Sequence, residues 1–280
     1  MKREEIVLLD GALGTCLWEK TDDRGPVWRY NLENPKIVKE VAAEYTDAGS
    51  QIVLTNTFGA NRLAVKRTDY TVEQVVSAGV RLAKEAVGDR AKTALSIGPL
   101  PVLMEPYGDL TEEEAFELFD EQISAGAGEG PDIILLETFM DADMLRIAAE
   151  AAAKHGLPIF CTMTFTEVGK TIMGHSVERF VDTLKGLPVS AVGINCSLGP
   201  EKAVPIIASF RQYTDLPLIF KPNAGKPILQ EDGAESVQFD VDTFVEDCMP
   251  ALDCDVKYIG GCCGSNPSYI RAMKERIFGR

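Results

Sequence analysis

Eight short runs of apolar, mostly β-branched residues recur along the chain, at 6–9, 52–55, 93–97, 132–137, 158–162, 191–195, 217–221 and 256–260. Most are continuous rather than alternating. A strand with one wet face alternates, whereas a strand covered on both faces does not, so the runs read as a buried parallel sheet. Between them the apolar period lengthens to that of a helix. In 35–48, Ile37, Val38, Val41, Ala42 and Tyr45 share one face, and in 72–86 Val75, Val76, Gly79, Leu82 and Ala83 do the same. The segment 111–125 opens on Thr111-Glu112-Glu113-Glu114, a capping box that satisfies the free amides of a first turn. Further helices are expected at 143–154, 177–185, 199–213, 241–249 and 267–278. Strand and helix alternate throughout, which predicts α/β architecture. Eight units without a second composition zone predict a single (β/α)8 TIM barrel, one domain spanning 1–280. An open doubly wound sheet is the alternative.

Two stretches break the rhythm. Residues 16–34 and 221–239 are rich in Gly, Pro and charge, and each follows the end of a predicted strand. In a barrel, loops in that position build the active site.

Composition narrows the function classes. The apolar share of 45% suffices for a large core, and a net charge of −15 argues against a nucleic-acid partner, since phosphate backbones attract basic surfaces. No run of about 18 apolar residues is present, so no membrane span is expected. The apolar stretch after the basic start is too short for a secretory signal. Seven cysteines without such a signal fit a reducing, cytoplasmic setting.

The densest chemistry is Gly260-Gly261-Cys262-Cys263-Gly264, with Cys196 at the end of the sixth run. Adjacent cysteines bond each other poorly, but two neighbouring thiolates and a third can hold one metal ion. Three thiolates at the C-terminal ends of barrel strands predict a zinc site with one position left open for chemistry. The glycines beside the pair are expected to permit the bend that places consecutive side chains on one ion. Asn223 in Lys221-Pro222-Asn223-Ala224-Gly225 is a neutral candidate for the fourth position. The competing reading is that these are buried free cysteines, as Cys16, Cys161, Cys248 and Cys254 are expected to be.

Other strand ends carry directed polar groups. Asp10 followed by Gly11, Ala12 and Gly14 could hold an amino acid, the carboxylate taking an ammonium and the amides a carboxylate. A tight turn capped by Asp10 explains it equally. Thr55-Asn56-Thr57-Phe58 ends the second run, making Asn56 a candidate substrate contact. Glu137 follows four apolar residues, where a carboxylate is costly unless it meets a cation. Lys221 has two readings: a charge that offsets the site or touches a donor, or a solvated lysine at the rim. His155 falls on the face opposite the active loops, and His175 lies in a loop on the active face. No dinucleotide fingerprint, P-loop or nucleophile elbow is present.

Taken in order, Asp10-Gly11-Ala12-Leu13-Gly14-Thr15, Thr55-Asn56-Thr57-Phe58, Glu137-Thr138-Phe139, Gly193-Ile194-Asn195-Cys196, Pro222-Asn223-Ala224-Gly225 and Gly260-Gly261-Cys262-Cys263-Gly264 resemble the homocysteine S-methyltransferase family over essentially the whole chain. Residues 193–200 and 222–227 look most like the homocysteine-binding domain of cobalamin-dependent methionine synthase. The resemblance implies that Cys196, Cys262 and Cys263 are zinc ligands and also carry the catalysis. It implies that Asn223 fills the fourth position until substrate arrives, that Asp10 and Glu137 hold the homocysteine ammonium, and that amides near Gly11 and Ala12 hold its carboxylate. Leu13, Ser265 and the segment 267–270 depart from the usual pattern, all away from the metal. The implied reaction methylates the zinc-bound homocysteine thiolate to methionine. The donor is open: a corrinoid-bound methyl on a separate protein, or a sulfonium such as S-adenosylmethionine or S-methylmethionine. The chain ends soon after its eighth helix and has no Asp-x-His-x-x-Gly run, so methylcobalamin is expected only through a partner protein. Two alternatives stand beside this: another thiol or selenol acceptor, and a non-catalytic zinc- or redox-sensing barrel.

Overall fold

The structure, a computed structural model, describes residues 3–196, 198–230 and 233–279, by backbone alone at 226–230 and 233–238. Its strands are β1 (Val7–Leu8), β2 (Ile52–Leu54), β3 (Lys92–Ile97), β4 (Ile133–Phe139), β5 (Ile159–Met163), β6 (Val189–Asn195), β7 (Leu218–Lys221), β8 (Gly225–Gln230), β9 (Gly233–Gln238) and β10 (Val256–Ile259). Eight of them form one parallel sheet in the order β1-β10-β7-β6-β5-β4-β3-β2. The two edges meet: Leu9 bridges Ile52 in parallel, and the Gln51 N–H donates to Leu8 O at 2.8 Å. The sheet is therefore a ring, a (β/α)8 barrel rather than the open alternative.

The continuous apolar runs find their reason in two separate cores. Leu9, Ile52, Leu54, Ala94, Ile133, Leu135, Phe160, Ala191 and Ile219, all from strands or their ends, pack together inside the barrel. Their neighbours along the strands, such as Leu8, Leu95, Ile134 and Leu136, join the layer between sheet and helices. Both faces are dry, so neither needs polar residues.

The expected helices form, with shifted ends. The stretch 199–213 is a helix at Pro200–Ser209 followed by a 3-10 turn at Phe210–Gln212. Thr71 and Thr111 each make a complete capping box, with Gln74 and Glu114. Structure also appears inside both irregular stretches. A helix at Leu13–Glu19 opens the first, and β8 pairs antiparallel with β9 in the second. These loops lie at the C-terminal ends of β1 and β7, where they frame the barrel mouth.

Candidate active site

Cys196 follows β6, and Cys262 and Cys263 follow β10. β7 lies between those strands in the ring and pairs with both. The three sulfurs all lie within 4.8 Å of one another, and Cys196 Sγ is 3.6 Å from Cys263 Sγ. Thiolates at zinc–sulfur bonds of about 2.3 Å in a tetrahedron sit about 3.8 Å apart, so the spacing suits a shared ion. Backbone bonds hold each arm in place. The Cys196 N–H donates to Lys221 O at 3.1 Å, the Cys262 N–H to Pro222 O at 2.8 Å, and the Ala224 N–H to Cys263 O at 2.9 Å. Without a cation the cluster resists ionisation. Its contact with Cys196 raises the Cys262 thiol far above its ordinary value. The Cys263 thiol, pulled down by Cys196 but pushed up more by Cys262 and burial, stands at about 12.

The donor set fits a metal on a further observation. Asn223 is 7% exposed, and its Oδ1 is a buried oxygen without a hydrogen-bond partner. A buried acceptor left unsatisfied is costly, and a cation is one remedy. Three convergent cysteine sulfurs are a soft donor set of the kind zinc takes.

The glycines answer a different need from the one expected of them. Only Gly264, at φ 83°, is left-handed. Gly260 and Gly261 are required for space: a Cβ at Gly260 would strike the Asp10 carbonyl, and one at Gly261 the Ser265 hydroxyl.

The thiols share a cavity of about 360 Å³ with Gly11, Ala12, Leu13, Gly14, Thr15, Asn56, Glu137, Thr138 and Lys221. Glu137 is aimed by a bulge. Between Leu136 and Phe139, β4 carries one residue more than β5 does between Cys161 and Met163, and Thr138 sits in it at φ 65°. Glu137 Oε1 accepts from Ser96 Oγ at 2.6 Å, and burial raises its pKa although Lys221 and Ser96 oppose the shift.

A profile of the homocysteine S-methyltransferase family matches residues 7–277. The chain belongs to this family. Among solved structures, the homocysteine methyltransferase MmuM from Escherichia coli is similar throughout. Its oxidized form gives a TM-score of 0.83 at 22% identity, covering 97% of this chain and 96% of that one. The metallated form gives 0.82 at the same identity and coverage. The carboxyl transferase domain from Rhizobium etli pyruvate carboxylase shares only the fold, at a TM-score of 0.53 and 12% identity over 96% of this chain and 46% of that one.

Asp10 is fully buried and does not line the cavity: Oδ1 pairs with Lys221 Nζ at 2.8 Å and Oδ2 accepts the Leu54 N–H at 2.7 Å. Each oxygen thus already has one partner within the protein. Lys221 is 1% exposed, which overturns the solvated-rim reading. Burial alone would lower its pKa, but Asp10 and Glu137 raise it on balance, so it stays charged. The Ala12 N–H donates to Ser265 Oγ at 3.2 Å, and Ser265 Oγ donates to Cys262 O at 2.7 Å, tying the end of β1 to the thiol loop. The Asn56 amide donates to Val27 O at 2.8 Å and to Asn31 Oδ1 at 2.9 Å, anchoring the long first loop. His175 accepts the Ala142 N–H at 3.3 Å and so serves a helix start. His155 lies against Ser124 at 3.4 Å on the outside. Sequence reasoning missed Asn195, which touches both Glu137 and Cys262. Its place directly before Cys196 was the available signal. A larger depression of about 900 Å³ opens among the N-terminal ends of the strands, beside Lys84, Arg90, Lys92 and Lys257, and contains no thiol.

Proposed function

We propose that this chain methylates the thiol of homocysteine to give methionine, with zinc held by Cys196, Cys262, Cys263 and, before substrate enters, Asn223. The observation that carries the proposal is the shared cavity: three convergent sulfurs and a buried, cation-seeking carboxylate in one space. When bound, zinc supplies the charge that keeps a coordinated thiol ionised at neutral pH.

The chain's own groups do the rest. Glu137 takes the substrate ammonium. Asp10 acts one step removed, by holding Lys221. Two carboxylates and one lysine leave one negative charge uncompensated, which suits an acceptor with one ammonium. The helix Leu13–Glu19 starts at Ala12 without a side-chain cap. The turn of Gly11 and Ala12 into this helix lines the cavity and is where the substrate carboxylate would lie. Gly11 lines the same end, whereas Ala12 and Asn56 shape the wall through Ser265 and the first loop. In the transfer, a bond forms between substrate sulfur and methyl carbon as the donor–methyl bond breaks. The thiol proton goes to solvent, so no protein base is required. The donor is a methyl-corrinoid or a sulfonium.

The test is methionine formation by zinc-loaded protein from homocysteine with methylcobalamin, S-adenosylmethionine or S-methylmethionine. Turnover with methylcobalamin alone makes the donor a methyl-corrinoid, and turnover only with a sulfonium makes it a sulfonium. Absence of methionine with all three, in protein shown to hold zinc, would sink the proposal and favour another acceptor or a sensing role.

A further inference from the structure

Asn195 ends β6, is 1% exposed, and spends its whole side chain on the site. Its Oδ1 accepts the Thr138 N–H at 2.9 Å and the Thr162 hydroxyl at 2.8 Å. A backbone N–H can only donate, so this contact fixes which end of the amide is oxygen. The Nδ2 end therefore faces inward. It lies 2.7 Å from Thr138 Oγ1, 3.3 Å from Glu137 Oε2 and 3.9 Å from Cys262 Sγ.

The backbone around it is strained. Among the described residues three non-glycines have positive φ, and two of them are Thr138 at 65° and Cys196 at 60°. Such conformations are costly and persist only where surroundings enforce them. Asn195 binds Thr138 through both ends of its amide and is the residue before Cys196. It thus joins the bulge that aims Glu137 to the turn that aims Cys196.

We infer that Asn195 is a positioning residue that holds the Cys262 sulfur and Glu137 in register, one amide hydrogen going to Thr138 Oγ1 and the other shared between Glu137 Oε2 and Cys262 Sγ. The inference rests on reading the cysteine cluster as a metal centre. An N–H directed at a thiolate fixes the sulfur's orientation and withdraws charge from it. It strengthens when Cys262 ionises, because a charged acceptor makes the shorter and stronger bond. Partners of this kind, one step out from a metal, commonly change metal affinity by about 10–100-fold.

The test uses cobalt(II) bound by the full-length protein, whose sulfur-to-metal charge-transfer absorption reports the thiolates without substrate or donor. Asn195→Ala is expected to bind cobalt at least about 10-fold more weakly, with a displaced charge-transfer band. Thr162→Val removes a bond that orients the amide but touches neither cavity nor cluster. It is expected to displace the band in the same direction and by less. A folded Asn195→Ala with wild-type affinity and band overturns the inference. If that variant does not fold, Thr162→Val decides alone, an unchanged band overturning it and a displaced one supporting it. A wild type that binds cobalt without thiolate charge transfer overturns the metal reading itself, and this inference with it.

Discussion

Lys221 is an ammonium placed between Asp10 and Glu137 with almost no access to water. Taking an ion out of water costs several kcal/mol, so it stays charged only because its partners stay with it. Lys221→Met should therefore destabilise the protein by about 3–5 kcal/mol by stranding Asp10. The Asp10→Asn/Lys221→Met double variant should recover most of that loss. Urea unfolding of the three proteins measures it, and a double variant as weak as the single would show that shape, not charge, matters here. The pKa of Lys221 is raised, so its stabilisation is complete below the ordinary ammonium value and fades as pH climbs through the raised one. Glu137 follows the same sign in a lower pH range. Its raised pKa means that the folded state holds the proton more tightly, so stability from this group falls as pH rises through the shifted value. Substrate binding needs the anion, so kcat/KM for homocysteine should drop on the acid side of that same raised pKa. Glu137→Gln should lose about 10–100-fold in kcat/KM at neutral pH and show no such acid limb. A surviving limb would assign it to another group. None of this pairing was legible locally, because Asp10 and Lys221 are 211 positions apart. The residue types at strand ends were visible, but which of them meet was not.

Among the elements, β6 carries the most constraint, since it delivers both Asn195 and Cys196. Gly193 lies in its middle, and a Cβ there would run into the Ile219 backbone of β7. A backbone cannot step aside as a side chain can. Gly193→Ala should lower stability by about 3 kcal/mol and weaken zinc binding, because β6 and β7 must separate to admit the methyl group. Thermal unfolding with and without zinc checks both parts; a variant with normal stability would mean that the strand bows at no cost. The regular elements were legible because burial on two faces writes itself into continuous apolar runs, and helix starts such as Thr71 and Thr111 announce themselves with caps. The helix Leu13–Glu19 was missed since Ala12 offers no capping side chain. The β8–β9 hairpin was missed since its stretch mixes Gly, Pro and charge, and two strands alone owe their order to what they rest on. The bulge at Glu137-Thr138 left no mark either: one extra residue in β4 is defined only against β5.

For the molecule as a whole, the question is how much the barrel would depend on the proposed metal. The ring closes through strand ladders and the Leu9–Ile52 bridge, and apolar side chains pack inside it and between sheet and helices. The thiols sit past the ends of β6 and β10, outside both cores. Zinc should therefore add to stability without being a condition of folding. A ligand that binds only the native state at 100 times its Kd contributes about 2.7 kcal/mol. For a chain of this size that corresponds to a rise in Tm of about 5 °C. Removing zinc with a chelator should lower Tm by about that much while the far-UV circular dichroism at 25 °C stays unchanged. Cys196→Ser/Cys262→Ser/Cys263→Ser should melt at one temperature with or without zinc. Collapse of the far-UV signal on chelation would make the metal structural, and an unmoved Tm in the wild type would mean that the three sulfurs hold no ion. The expected middle result fits a metal kept for chemistry, on a scaffold that is already folded when zinc arrives.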